Sequence, residues 1–154
     1  MVPPRTRYFA DASALVKRYR TEAGSQRVSE LMEHAEEVLI ARLSIVEVSS
    51  ALVRRARSMQ IPSQEVFATL TNFDDDVTAS LSIIELDEAV MDYAVQLARV
   101  HGLRGADAVQ LSCALLVKRD RAEIPLILMS SDIELNAAAE SEGLTVVNPT
   151  EARS

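Results

Sequence analysis

The chain has 154 residues, of which 48% are hydrophobic and 25% charged, and this composition is typical of one soluble globular domain spanning residues 1–154. A chain of this length buries about 68–70% of its unfolded surface, so it needs no structural metal, and its single cysteine, Cys113, excludes an internal disulfide. The net charge of −7 argues against a basic surface for nucleic acids, although acids gathered at a cation site would contribute to that total.

The sequence also indicates where the protein resides. Residues 1–9 are too polar for a signal peptide, and no apolar run approaches the length of a transmembrane helix. We therefore expect a cytoplasmic protein that makes no membrane contact.

Apolar runs and helical spacings alternate along the chain. Apolar runs predict strands at residues 6–10, 38–41, 82–86, 125–130 and 144–147. Apolar residues at helical spacing predict helices at residues 12–20, 25–35, 44–57, 63–80, 87–102, 105–119 and 132–143. This alternation predicts the α/β class, with a mostly parallel sheet that carries helices on both faces.

Four acidic residues lie at the starts of predicted helices. Asp11 directly follows the first strand, and Asp132 follows the fourth. Glu47 lies in the first turn of the helix after the second strand, and Asp107 lies in the first turn of a later helix. Because ligands of such folds bind beyond the carboxyl ends of the strands, these four side chains are candidates for one site.

Each acid also has a purely structural explanation. Asp11 and Asp132 are typical helix N-caps. Ser44 and Glu47 have the spacing of a capping box, and Asp107 suits the positive end of a helix dipole. If the acids converge, however, two charges about 4 Å apart repel by roughly 4 kcal/mol, whereas a cap contributes about 1 kcal/mol. A divalent cation that prefers oxygen ligands, Mg²⁺ or Mn²⁺, would offset such repulsion.

Four sequence blocks together resemble a known family. They are DASALVKRY (11–19), SIVEVSSAL (44–52), LRGADAVQLSCAL (103–115) and LMSSDIELNAAAESEGLTVVNP (128–149). In this order and with these separations, the chain resembles the PIN-domain ribonucleases, and among them the VapC toxins of toxin–antitoxin pairs. The resemblance spans nearly the whole chain and implies a three-layer α/β/α sandwich around a parallel sheet.

The resemblance implies Mg²⁺-dependent cleavage of RNA, with an activated water as the nucleophile. It identifies Asp11, Glu47, Asp107 and Asp132 as the acidic quartet of that site. Asp11 and Asp107 would be the main metal ligands. Glu47 and Asp132 would complete the site, directly or through water.

Four further residues are auxiliary candidates. Ser13 and Ser130 match small hydroxyl positions of the family, where they would orient a carboxylate or a water. Arg54 lies two helical turns after one acid of the quartet, and Arg104 lies three residues before another, so both are candidates for phosphate contacts. The alternative for each arginine is a solvated, charged helix face.

The resemblance also implies partners besides the RNA substrate. A cognate VapB-like antitoxin and a second copy of the chain, in a homodimer, would contact the helical region over residues 44–57 and 63–80. Many apolar residues lie in that region, and an ordinary core is the alternative explanation for them.

Two other functions are consistent with an α/β fold. A phosphoacceptor receiver domain would need an acid pair after the first strand and a lysine after a later one, and the segments FADASA and PLILMSSD provide neither. A non-catalytic PIN-fold binding module would retain the fold for partner contacts alone, and the four filled acidic positions argue against it.

Three consecutive aspartates, Asp74 to Asp76, do not form a predicted site. Successive helical residues point about 100° apart, so the three carboxylates cannot converge on one ion. We expect them to lie on a solvated helix face.

Overall fold

The five predicted strands all form and pair into one sheet. The computed structural model describes residues 5–152. Its strands are β1 Arg7–Ala10, β2 Glu37–Ala41, β3 Leu81–Ile84, β4 Leu126–Met129 and β5 Thr145–Val147. They lie in the order β3-β2-β1-β4-β5, and every neighbouring pair is parallel. The predicted parallel sheet is therefore confirmed, and its carboxyl ends lie along one edge.

The predicted helices also form, with small shifts at their ends. Within residues 5–152 they are α1 Ala12–Leu15, α2 Ser25–His34, α3 Arg42–Ser58, α4 Ser63–Ala79, α5 Glu88–His101, α6 Gly105–Asp120 and α7 Ile133–Ser141. The first helix is shorter than predicted because it tightens into a 3-10 turn over Val16–Arg18, where the Tyr19 N–H donates to the Val16 carbonyl. No helix in these residues is both long and apolar enough to cross a membrane.

Residues 1–4 and 153–154 lie outside the described part of the chain. They include part of the segment predicted not to be a signal peptide, and both ends of the predicted single domain.

The sheet separates two apolar cores. Successive strand residues point to opposite faces. Phe9 and Leu128 therefore lie in a core with residues of α5, α6 and α7. Ala10 and Met129 lie in a second core with residues of α1 to α4. This is the predicted three-layer α/β/α sandwich, and coverage of both faces explains why the strands read as continuous apolar runs.

Helix α4 is anchored by one aromatic residue. Phe73 is fully buried and packs edge-on against Tyr19, with 4.9 Å between the ring centroids. The Tyr19 hydroxyl donates a hydrogen bond of 2.7 Å to Asp76. Asp74 and Asp75 are exposed as predicted, but the prediction is wrong for Asp76, since Tyr19 makes it part of this contact.

We expect the Phe73→Ala substitution to lower the free energy of unfolding by about 3–5 kcal/mol, because it leaves a cavity beneath α4. Phe67→Ala is the matched control: Phe67 lies on the same helix with 73% of its surface exposed, so the change should stay within about 0.5 kcal/mol. Urea unfolding of both variants measures the difference. Equal losses would contradict the assignment of the buried face of α4.

Candidate functional site

Asp11 is a buried carboxylate at the carboxyl end of β1. Its side chain is the predicted N-cap of α1, since Oδ1 accepts a hydrogen bond from the Ala14 N–H at 3.1 Å. Oδ1 also accepts from the Ser13 hydroxyl at 2.7 Å, and Oδ2 accepts from the Ser130 hydroxyl at 2.9 Å. Only 3% of the residue is exposed. These three bonds compensate part of the cost of burying a charge.

The same two hydroxyl groups join the ends of β1 and β4. The Ser130 hydroxyl accepts from the Asp132 N–H at 3.1 Å, and the Ser13 hydroxyl accepts from the Ser131 N–H at 2.9 Å. The Asn136 amide donates to the Ser130 carbonyl at 2.8 Å. The loop after β4 is therefore fixed against the start of α1.

Asp132 starts the helix that follows this loop. Its Oδ1 accepts from the Leu135 N–H at 3.0 Å, which confirms the predicted N-cap of α7. The residue is half-buried, and its charge acts on both Asp11 and Asp107. Asp132 therefore interacts electrostatically with the two residues that the family resemblance implies as the main metal ligands.

Glu47 is held by a residue on another helix. The predicted capping box of Ser44 and Glu47 is wrong, because β2 runs directly into α3 and the helix begins at Arg42, with no side-chain cap. Glu47 consequently lies in the second turn. Ser44 is fully buried, and both its hydroxyl and Glu47 Oε1 accept hydrogen bonds from Gln110 Nε2, at 2.8 and 2.9 Å.

Asp107 lies in the first turn of α6, as predicted, and is half-buried. Burial raises the pKa of its carboxyl, and the negative charges of Asp132 and Glu47 raise it further. The exposed Arg104, at the N-cap position of the same helix, lowers that pKa, whereas Glu134 raises it. The pKa of Asp107 is therefore affected by charged residues on α3 and at the starts of α6 and α7.

Burial is also the main cause of the raised pKa values of Asp11 and Glu47. It raises the pKa of Asp11 to about 6, against the lowering effect of the bonds from Ser13, Ala14 and Ser130, and Asp132 adds to the rise. Burial raises the pKa of Glu47, and the hydrogen bond from Gln110 opposes that rise. Negative charge at this edge of the sheet is thus unfavourable, which is the condition that a bound cation relieves.

The donor set fits a hard divalent cation whose coordination is completed by water or phosphate. Within residues 5–152, no three acidic, histidine or cysteine side chains lie together closely enough to hold a metal ion by themselves. Mg²⁺, however, commonly binds through one or two carboxylates and retains several waters. A carboxylate has about four acceptor positions, and Asp11 uses three of them in the bonds described above.

The two arginine candidates differ in their surroundings. Arg104 acts electrostatically on Asp107, whereas Arg54 lies on the exposed face of α3, seven residues after Glu47. Three other basic side chains near α1 already form ion pairs within the protein. Glu22 pairs with Lys17, Arg20 and Arg55 at N–O distances of 2.7–3.1 Å. Arg104 is therefore the better placed of the two candidates.

Two polar residues that hold the surroundings of the acids in place were not predicted from the sequence. Gln110 lies three residues after Asp107, and Asn136 lies four residues after Asp132. Both are buried, at 2% and 7% exposure. Residues three or four apart share a helix face, so a polar residue at that spacing from each acid, within an otherwise apolar segment, was the available signal.

Comparison with known proteins identifies the family. A sequence model of the PIN domain matches residues 8–147, and the chain belongs to the PIN domain family. It is 37% identical over 139 residues to "Ribonuclease VapC45" of Mycobacterium tuberculosis (strain CDC 1551 / Oshkosh), which covers 90% of this chain and 92% of the relative.

Two solved structures show the same fold at low sequence identity. FitAcB from Neisseria gonorrhoeae is 16% identical, with a TM-score of 0.68 over 92% of this chain and 97% of its own. A toxin–antitoxin complex from Klebsiella pneumoniae is also 16% identical, with a TM-score of 0.66 over 94% of this chain and 99% of its own. These likenesses agree with the α/β/α architecture described above.

The raised pKa of Asp11 predicts a pH-dependent effect of the Asp11→Asn substitution. The folded carboxyl keeps its proton up to about pH 6, whereas the unfolded one releases it near the ordinary value of 3.8, so wild-type stability falls as the pH rises between these values. Asparagine does not ionise. The free energy of unfolding of the variant, relative to wild type, should therefore rise by about 2–3 kcal/mol between pH 4 and pH 7.

Urea unfolding in EDTA at several pH values measures this difference. Asp75→Asn, at an exposed aspartate of α4, is the control and should show no such trend. A difference between Asp11→Asn and wild type that does not change with pH would contradict the burial of an ionised Asp11.

Proposed function

We propose that this chain is a Mg²⁺-dependent endoribonuclease of the VapC type and acts as the toxin of a toxin–antitoxin pair. The observation that carries the proposal is the buried Asp11 carboxylate, fixed at the edge of the sheet where Asp132 and Asp107 also interact. Membership of the PIN domain family and the 37% identity to a protein named Ribonuclease VapC45 support the same activity.

Asp11 and Asp107 would hold the cation, and Glu47 and Asp132 would complete its surroundings. When bound, Mg²⁺ would lower the pKa of a water and neutralise the charge that develops on the attacked phosphate. Ser13 and Ser130 keep the Asp11 carboxylate in one orientation through their hydrogen bonds.

The remaining acids would handle the proton. Glu47 and Asp132 are both half-buried, and each has one oxygen engaged in a hydrogen bond, with Gln110 and with the Leu135 N–H respectively. Whichever of the two does not contact the cation would accept the proton of the attacking water. Burial raises the pKa of Glu47 towards neutral pH, and a general base accepts a proton most effectively when its pKa lies near the working pH.

Arg104 would bring the RNA backbone to this acidic edge. It is exposed, precedes α6 and lowers the pKa of Asp107, so its positive charge lies within electrostatic reach of the site. Phosphate affinity in nucleic-acid binding comes mainly from such cations.

The proposed partners are a VapB-like antitoxin and a second copy of this chain. Helices α3 and α4 leave large apolar side chains exposed, with Val46 at 65% and Phe67 at 73% of their surface. A cavity of about 340 Å³ beside these helices is lined in part by Leu52, Ile61 and Val66. Exposed apolar surface of this kind favours protein contacts, and one solved relative of the same fold is a toxin–antitoxin complex.

The proposed activity predicts metal-dependent cleavage of RNA by the purified chain. Removing Mg²⁺ with EDTA should abolish cleavage, and adding it back should restore it. Asp11→Asn and Asp107→Asn should each lower the cleavage rate by roughly 10²–10³-fold, because each removes a charge that would hold the cation. Asp75→Asn, at an exposed aspartate of α4 that belongs to none of the four acidic positions, should cleave like wild type.

Expression in cells provides a second readout of the same proposal. Wild-type chain should arrest growth, and Asp11→Asn or a co-expressed antitoxin should relieve the arrest. Cleavage that persists in EDTA, or that is undiminished in both aspartate variants, would contradict the proposed site. A folded chain that cleaves no RNA under any of these conditions would favour the non-catalytic binding module.

The proposed phosphate contact predicts a specific salt dependence for Arg104→Gln. The variant should raise the KM for RNA and reduce the slope of log KM against log salt by about 1, since one phosphate contact is lost. Arg99→Gln, at an exposed arginine of α5, should change neither quantity. An unchanged slope for Arg104→Gln would contradict the proposed contact between Arg104 and an RNA phosphate.

A further inference from the structure

We infer that Gln110 is a positioning residue of the acidic site, and that it acts by fixing the Glu47 carboxylate with a hydrogen bond across the helix interface. The inference rests on the proposed function. Gln110 lies on α6, one turn after Asp107, and Glu47 lies on α3. Its amide therefore connects the two helices that carry these acids.

The side-chain amide nitrogen of Gln110 donates two hydrogen bonds. Nε2 donates to Glu47 Oε1 at 2.9 Å and to the Ser44 hydroxyl at 2.8 Å. An amide nitrogen carries two hydrogens, so both are used. Ser44 is fully buried and Gln110 is 2% exposed, so the donor has little freedom to move. The bond to a carboxylate is the stronger, charge-assisted kind.

Packing alone does not account for a glutamine at this position. The neighbouring residues on α6, such as Ala108, Val109 and Leu111, are buried and apolar. Gln110 Oε1 is buried and has no hydrogen-bond partner among residues 5–152, so the side chain carries an uncompensated cost of burial. An apolar residue would avoid that cost, but it would lack the donor to the Glu47 carboxylate and to the neighbouring Ser44 hydroxyl on the same helix.

The donor matters because Glu47 lies in a repulsive environment. Its charge and that of Asp107 oppose each other, and burial disfavours its ionised form. A glutamate side chain released from Gln110 would turn towards solvent, where its charge is better solvated. Glu47 would then no longer contribute to holding a cation beside Asp107.

The test replaces Gln110 with methionine, which has similar length and no donor. Calorimetric titration of the metal-free chain with Mn²⁺ should show an affinity roughly 10–100-fold weaker in Gln110→Met than in wild type. The kcat for RNA cleavage should fall by a similar factor, whereas the KM for RNA should stay within about twofold. Ser112→Ala is the matched control. Ser112 is also buried on α6, and its hydroxyl donates a 2.7 Å hydrogen bond to the Val90 carbonyl of α5. Because this bond involves none of the four acids, Ser112→Ala should not change Mn²⁺ affinity.

A double-mutant cycle separates positioning from general stability. If Gln110 acts through Glu47, adding Gln110→Met to Glu47→Gln should change Mn²⁺ affinity by less than about twofold. A full, additive loss in that background would overturn the inference. Wild-type affinity in Gln110→Met would overturn it as well, and would leave the proposed nuclease intact.

Nuclear magnetic resonance keeps the inference testable if Gln110→Met does not fold. The side-chain amide resonances of Gln110 should shift strongly in Glu47→Ala and much less in Asp132→Asn. Resonances that do not move in Glu47→Ala would overturn the contact. A wild-type chain that binds no Mn²⁺ and cleaves no RNA would overturn the proposed function itself, and with it the role of Gln110.

Discussion

The buried Asp11 carboxylate is the constraint on which the site depends. An ionisable group with 3% exposure persists at the end of β1 because two hydroxyls and one backbone N–H donate to it. The same hydroxyls, from Ser13 and Ser130, accept hydrogen bonds from the loop after β4. Removing the carboxylate would therefore take away the acceptor of both hydroxyls that bind the loop after β4, beyond the loss of one charge. Cap and site are two consequences of one arrangement.

Parallel pairing of the strands turns this local arrangement into an acidic edge. The sheet brings the residues after β1, β2 and β4 to the same side, and α6 adds Asp107. Burial raises the pKa values of Asp11, Glu47 and Asp107, and neighbouring acids raise those of Asp11 and Asp107 further, so ionising these carboxyls in the folded chain is unfavourable. Carboxyl groups with raised pKa values are typical of functional sites, and a bound cation would favour their ionised form.

The sequence predicted much of this arrangement, for identifiable reasons. Continuous apolar runs identified all five strands because both faces of the sheet are covered. Asp11 and Asp132 were recognisable caps, since capping depends on neighbours three residues away. The capping box at Glu47 failed because no local pattern shows that β2 enters α3 without a loop. Gln110 was missed because its partner lies 63 residues away and only the fold brings the two together.

Paramagnetic broadening by Mn²⁺ tests the central claim most directly, that the acids at the carboxyl edge of the sheet bind a divalent cation. In ¹H–¹⁵N spectra of the metal-free chain, substoichiometric Mn²⁺ should first broaden the amides of Asp11, Asp107 and Asp132, and Mg²⁺ in excess should reverse the effect. The amides of the exposed residues Asp74 and Asp75 on α4 serve as an internal reference. Broadening that begins at those aspartates, or that spreads evenly over the chain, would contradict the account.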